Sequence, residues 1–437
     1  MSSSSSSSVC DLCDDAMAEI LVRLPSKSML RCRAVCKAWR RITTNRSFLA
    51  AHAARRPLEM ITLSSPPMPW TVNAVSVSLR STPPPPPSPL FHRRHFVASD
   101  GTTFARMLKV LYSLDGLLLL EQSRGLYIVC NPITRQWTDL PALPLQPPYV
   151  DTAFACGFYA HGPSGEYRLL CHALLQAEAA AGNDWKSRMN AADDDHYYYI
   201  LSTGTGGGLG QKPQPRRLGA APRGNADSPA YRITQQYEVP VAHRGALHWF
   251  ALHPEASSTG RMLAFDTVSE TFRLMAGPPQ AQERGETTNM ALLELDGGEE
   301  LGVAAMQAGQ FLTTPTTPTS VAIWALQDYE AETWTLRHRV EVPFTYFGRS
   351  ADPARCAVSI AGAAGGAAVL IGDPYFHVLR LYHLGDKRLI SHIFLGHGSL
   401  PTFLLFRQSC VSHAFFDSPR SPGVAYVNFL YQGQGDE

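Results

Sequence analysis

Apolar positions near the start of the chain follow a helical period. Met17, Ile20, Leu21 and Leu24 fall at i, i+3, i+4 and i+7, one face of a helix. Asp14 and Asp15 stand where an N-cap and first-turn acids belong, favourable for the free N–H groups and the helix dipole. Pro25 ends that helix. Ser26 or Ser28 can cap a second, carrying Met29, Leu30 and Cys32, and a third follows with Val35, Trp39 and Ile42 inside. Three helices this short bury little surface, so the unit is expected to dock on something.

From about residue 105 the period shortens. Val110–Leu114, Leu117–Glu121, Leu126–Cys130, Tyr167–His172, Ala246–Ala251, Met262–Phe265, Val321–Leu326 and Val378–His383 are short apolar runs between turn residues and read as strands. A spacing recurs among them. Asn131-Pro-Ile-Thr-Arg-Gln-Trp137, Asp266-Thr-Val-Ser-Glu-Thr-Phe272 and Asp328-Tyr-Glu-Ala-Glu-Thr-Trp334 each place an aromatic six positions after Asn or Asp, and His383 to Leu389 is a looser copy. This is a hairpin: a side-chain-closed turn, then a large apolar residue starting the returning strand. Repeated hairpins of this kind predict a β-propeller, and at roughly 40–50 residues per blade the remaining chain makes about six to eight blades. A β-sandwich is the alternative arrangement of such strands. The fold class expected is therefore a small all-α, three-helix unit followed by a large all-β domain.

Composition divides the chain further. Residues 1–8, Met and a serine run, are expected to be disordered, 9–52 to be the helical unit, 53–104 a spacer and 105–437 the β domain. The spacer reading comes from Pro66, Pro67, Pro69 and the run Pro83 to Pro87, a density that favours polyproline II. A low-complexity insertion is expected at about 177–227, with Tyr197–Ser202 a strand inside it, and Ala357–Gly372 reads as two strands about a glycine turn. Net charge is +1 over 437 residues, which gives no global argument for nucleic acid or membrane. The helical unit, however, carries Arg23, Lys27, Arg31, Arg33, Lys37, Arg40, Arg41 and Arg46, a basic face suited to an acidic partner. Residues 1–8 lack an export signal, and nine cysteines without a framework pattern suit reduced thiols in cytoplasm or nucleus.

The helical segment resembles the F-box: Glu19-Ile20-Leu21, Arg23-Leu24-Pro25, Lys27-Ser28, Leu30-Arg31, Arg33, Val35-Cys36-Lys37, Trp39-Arg40 and Ser47-Phe48-Leu49 run in the family's order without a gap. One position departs: Cys13 follows Leu12 where the family usually has proline, a change expected to weaken docking without abolishing it. The stretches Cys130–Pro141, Gly165–Leu170, Arg244–Phe250 and Met262–Leu274 are similar to the F-box-associated, kelch-like domains of plant F-box proteins. The resemblance implies a substrate-recognition subunit of a Skp–cullin–F-box ubiquitin ligase. Its F-box would dock on a Skp-type adaptor, and through it on cullin and RING subunits, using Leu12, Cys13, Ile20, Leu21, Leu24, Pro25, Leu30, Val35, Cys36 and Trp39. Some of these would face the partner and some the unit's own core. The β domain would hold a target protein through loops at the ends of its channel, contributing proximity rather than a catalytic group.

Candidate chemistry elsewhere is thin. Cys10, Cys13, Cys32 and Cys36 approach a zinc spacing, but the last two belong to the helical pattern. Gly204 to Gly210 lacks the Lys-Ser/Thr and the helix a phosphate loop needs. His243 and His248, five apart in a strand context, are expected on opposite faces, which disfavours a shared metal, and His248-Trp249 reads as strand packing. No cofactor, metal, nucleic-acid or membrane site is expected, nor enzymatic activity. The alternative reading is a kelch-type propeller that binds a small molecule or sugar, with a vestigial F-box.

Overall fold

A computed structural model describes residues 13–429 except 65–70, 78–87, 93, 100–101, 124, 145–152, 175–195, 205–211, 219–230, 234–238, 253–259, 280–287, 296–297, 308–318, 343–356, 364–365, 373–377, 396–398, 422–423 and 425–426. Four helices come first: α1 Asp14–Leu21, α2 Ser26–Cys32, α3 Lys37–Thr44 and α4 Arg46–Ala54. The fourth, beyond the three expected, starts because Asn45 caps it, its Oδ1 accepting from Ser47 N (2.9 Å) and Phe48 N (3.3 Å).

The rest is a six-bladed β-propeller, at the low end of the expected range. Blade 1 uses β1 Leu58–Ser64, β2 Thr71–Ser76 and β3 Ser88–His92; a separate hairpin, β4 Arg94–Ser99 and β5 Thr102–Met107, follows. Blade 2 is β6 Lys109–Leu114, β7 Leu117–Ser123, β8 Leu126–Asn131 and β9 Gln136–Asp139, and blade 3 is β10 Phe154–His161, β11 Glu166–Leu174, β12 His196–Ser202 and β13 Arg216–Leu218. In blade 4, β14 Arg232–Ile233 and β15 Val241–His243 both pair with β16 Ala246–Leu252, followed by β17 Arg261–Asp266 and β18 Phe272–Ala276. Blade 5 is β19 Thr288–Leu295, β20 Glu300–Gln307, β21 Thr319–Asp328 and β22 Thr333–Val342. Blade 6 is β23 Ala357–Ala363, β24 Gly366–Gly372, β25 Val378–His383 and β26 Arg388–Phe394. Finally β27, Ser399–Arg407, pairs antiparallel with β1 and supplies blade 1's innermost strand, closing the ring.

Closure explains why the strands are apolar on both faces. Each blade is covered by two neighbours, so alternate residues of one strand enter different cores. In β7, Leu117 and Leu119 pack toward blade 3 while Leu118 and Leu120 pack toward blade 1. In β24, Val369 and Ile371 face blade 5 while Leu370 faces blade 1. Six such cores fill the six gaps of the ring.

The hairpin spacing has a common geometry. Asn131 Oδ1 accepts from Ile133 N and Thr134 N (2.9 and 3.1 Å), and Asp266 Oδ1 from Val268 N and Ser269 N (2.9 and 2.6 Å). Asp328 Oδ1 accepts from Glu330 N and Ala331 N, both 2.9 Å, and in the loose copy His383 Nδ1 accepts from Asp386 N at 3.0 Å. Four positions after each, Arg135, Glu270, Glu332 and Lys387 take positive φ (60°, 55°, 53°, 52°), reversing the chain into the outermost strand.

Two expectations change here. The segment 53–104 is not only a spacer: β1 to β3 are the first blade, and Met60 and Ile61 are fully buried. The prolines that prompted the spacer reading lie outside the described residues. Likewise the strand expected at Tyr197–Ser202 is present as β12, but with β13 it belongs to blade 3 rather than to a surface insertion, and Tyr198 and Leu201 are buried.

Candidate partner-docking surface

The helical unit has its own small core. Met17, Leu21, Val22, Met29, Cys32, Ile42, Phe48 and Leu49 are buried together, with Leu24, Leu30 and Trp39 packed against them. Pro25, rather than Ser26 or Ser28, is the N-cap of α2, and its carbonyl accepts from Met29 N at 2.9 Å. Cys36 caps α3, its Sγ accepting from Trp39 N at 3.5 Å. His52 on α4 bonds through Nε2 to Leu24 O (2.9 Å), tying α4 to the α1–α2 turn, and burial pushes its pKa down. Arg41 pairs with Asp14, joining α3 to α1.

The same core includes Cys410, with Ile133 and Val411 at its edge, so the unit is seated on the propeller. Arg33 spans the seat, its Nη2 donating to Thr43 O at 3.2 Å and to Cys410 O at 2.9 Å. Asn131 Nδ2 holds the receiving segment, donating to Ser409 O and Val411 O at 3.1 and 3.2 Å. Arg407, at the end of β27, donates to Ala54 O at 3.4 Å. Only Arg55, Arg56 and Pro57 separate α4 from β1. The turn Asp115–Gly116 (φ 52° and 80°) presses against the same segment, leaving no room for a side chain between Gly116 and Ser409.

This geometry sorts the residues that the resemblance named. Ile20 and Val35 are exposed, 47% and 62%, among the few large apolar side chains that are. Pro25 and Cys13 are exposed too, and Leu24, Leu30, Cys36 and Trp39 are half-buried. Leu21, 1% exposed, faces the unit's own core. Leu12 lies outside the described residues. Asp14 and Asp15 occupy the first turn of α1, whose N-cap is Cys13, without a side-chain cap bond.

The histidines expected on opposite faces are neighbours. A tight turn at Arg244–Gly245 folds β15 onto β16, so the rings of His243 and His248 lie 6.3 Å apart. His248 donates through Nδ1 to Val241 O (3.1 Å) and accepts at Nε2 from Tyr329 OH (2.9 Å); burial lowers its pKa to about 4, and it is neutral. It is a strut between blades 4 and 5. Trp249, fully buried, donates from Nε1 to Cys156 O at 2.9 Å and braces blade 4 against blade 3.

The family model described as the F-box domain matches residues 9–50. An F-box protein of Arabidopsis thaliana is 22% identical over 336 residues, covering 74% of this chain and 77% of that protein. A second Arabidopsis thaliana protein, named for an F-box and kelch repeats, is 22% identical over 361 residues, 77% of this chain and 74% of its own. A third, also an F-box protein, is 29% identical over 170 residues, 36% of this chain and 38% of its own. Among solved structures, apo AztD from Citrobacter koseri aligns at 11% identity with a TM-score of 0.39, covering 80% of this chain and 97% of that one. That likeness is too loose to bear on function. The chain thus joins an N-terminal F-box domain to a β-propeller and is similar to plant F-box proteins, one of them a kelch-repeat protein.

Proposed function

We propose that this chain is the substrate-recognition subunit of a Skp–cullin–F-box ubiquitin ligase. The observation that carries the reading is an F-box whose Ile20 and Val35 remain exposed although its own core and its seat on the propeller are filled. An isoleucine, a valine and Pro25 exposed on a small unit that also exposes Arg23, Lys27, Arg31 and Lys37 suit a partner that offers apolar pockets rimmed by acids. That partner is a Skp-type adaptor, with cullin and RING subunits beyond it, and the propeller presents a target protein to the ubiquitin-charged enzyme. The chain contributes proximity and orientation, with the chemistry in other subunits. Cytoplasm or nucleus is the compartment this role requires.

Co-purification with co-expressed adaptor paralogues tests the reading. Wild type is expected to retain an adaptor, and the double variant Ile20→Asp, Val35→Asp to lose it while melting as the wild type does. Failure of the wild-type chain to retain any paralogue would falsify the ligase assignment.

A further inference from the structure

A cavity of about 1250 Å³ reaches from α4 into the ring. Its walls come from the inner strands β6, β15, β19 and β27, and its near end from α4 and the segment after β27. Six charged residues line it: Arg33, Arg46, Arg407, Asp115, Glu166 and Glu294. Most are engaged elsewhere. Arg33 and Arg407 donate to the backbone carbonyls of the F-box seat, and Glu166 pairs with Arg168 at 3.0 Å. Asp115 accepts from Tyr167 OH at 3.1 Å and favours protonation of His413, which Arg46 opposes.

Glu294 is different. Leu293 and Leu295 on either side enter the core between blades 5 and 6, so strand alternation turns Glu294 away from that core. Its side chain reaches the solvent of the cavity and has no hydrogen bond or ion pair among the described residues. The side chain is exposed to the cavity, and partial desolvation by the surrounding protein still holds its carboxyl above the ordinary range. An exposed carboxylate on a cavity wall, without an ion pair among the described residues, is open to a cation arriving from outside.

We propose that the channel receives a basic side chain, arginine or lysine, of the bound target polypeptide, with Glu294 as its counter-ion. This deepens the receptor reading and rests on it. The volume exceeds the range of about 300–1,000 Å³ usual for small-molecule sites, which favours a peptide segment over a free amine. Tyr167, His413 and Phe415 line the same cavity, with the His413 and Phe415 rings stacked at 4.9 Å. These half-buried and buried rings give that part of the wall an aromatic character suited to the aliphatic stem of a long side chain.

The test uses the full chain and fluorescent peptide mixtures in which one position is fixed as Arg, Lys, Gln or Glu and the others are randomised. Anisotropy titrations should show the Arg and Lys mixtures binding about tenfold more tightly than the Gln mixture, as loss of a close, partly desolvated charge pair gives. Glu294→Gln, nearly the same shape, should erase that preference and leave thermal stability and adaptor co-purification intact. A preference that survives in Glu294→Gln, or that wild type lacks, overturns the proposal. Spermidine competing as well as the Arg mixture at equal concentration also overturns it, by assigning the channel to small amines. If the Glu294-dependent preference holds but no adaptor binds, the channel assignment stands and the ligase reading falls.

Discussion

Ile20 and Leu21 are adjacent in one helix and nearly the same size, yet the structure gives them opposite tasks, which makes them a sharp pair to perturb. Leu21 is 1% exposed and packs with Met17 and Met29. Truncation to alanine removes buried carbons and leaves a cavity, costing about 3 kcal/mol. Four short helices have little stability to spare, so the cost is expected as local opening of α1–α4. Ile20 is 47% exposed, so Ile20→Ala should cost the fold about 0.5 kcal/mol. If an adaptor covers what remains exposed, roughly half of a full isoleucine burial, about 1 kcal/mol, is lost from binding, or about fivefold in Kd. Hydrogen exchange of the α1–α4 amides reads the first effect and surface plasmon resonance against the adaptor reads the second. Leu21→Ala should accelerate exchange and weaken binding indirectly. Ile20→Ala should leave exchange unchanged and still weaken binding. Equal acceleration by both variants would refute the assignment of the two faces, and unchanged adaptor affinity in Ile20→Ala would remove Ile20 from the docking surface.

Three further outcomes are expected. Trp249→Phe removes the bond to Cys156 O and part of a fully buried ring, and should lower the free energy of denaturant unfolding by about 2–3 kcal/mol; a change below about 0.5 kcal/mol would contradict the brace between blades 3 and 4. Asn131→Ala deletes both the turn closure and the two bonds to the 409–411 segment, so it should cost about 2–4 kcal/mol. Asp266→Ala, which loses turn closure alone on an exposed hairpin, should cost about 1 kcal/mol, and equal melting shifts for the two would argue against the anchoring role of Asn131. His248 has a folded pKa of about 4, below its unfolded value, so its contribution is present above the unfolded pKa of about 6.5 and is lost as pH falls through that value toward 4. Stability measured between pH 7 and 4 should therefore decline less steeply in His248→Gln than in wild type.

What the sequence discloses depends on how local the cause is. The hairpins at Asn131, Asp266, Asp328 and His383 are legible because cap, turn and the large apolar residue of the returning strand lie within seven residues, and all four close their turns through the first side chain. Strand β1 was hidden because its pairing partner β27 comes at the far end of the chain, with Thr402 Oγ1 reaching Ile61 O across 341 positions. The neighbouring prolines, Pro66 to Pro69 and Pro83 to Pro87, carry the stronger local signal. His243 and His248 were misplaced for the converse reason: a single turn at Arg244–Gly245 inverts the rule for one continuous strand. At the docking surface, apolar character alone could not separate Ile20 and Val35 from Leu21. The division depends on which face meets Ile42 and Phe48, and on Cys410, more than 370 positions away.

Because all the inner strands run in one direction, their exits and the four capped hairpins open at one end of the ring, the end that carries the F-box. The turns that leave the inner strands there are short, as at Asp115–Gly116 and Arg244–Gly245, whereas two connections from third strands at that end, 77–87 and 203–215, are longer. Connections at the opposite end include the stretches from Leu174 to His196 and from Val342 to Ala357. Insertions and deletions beside the inner strands therefore have a polarity in this architecture. Chain length can vary at the end remote from the F-box without altering the seat of Arg33, Asn131 and Cys410, so the remote end is free to diversify while the angle between F-box and propeller stays inherited.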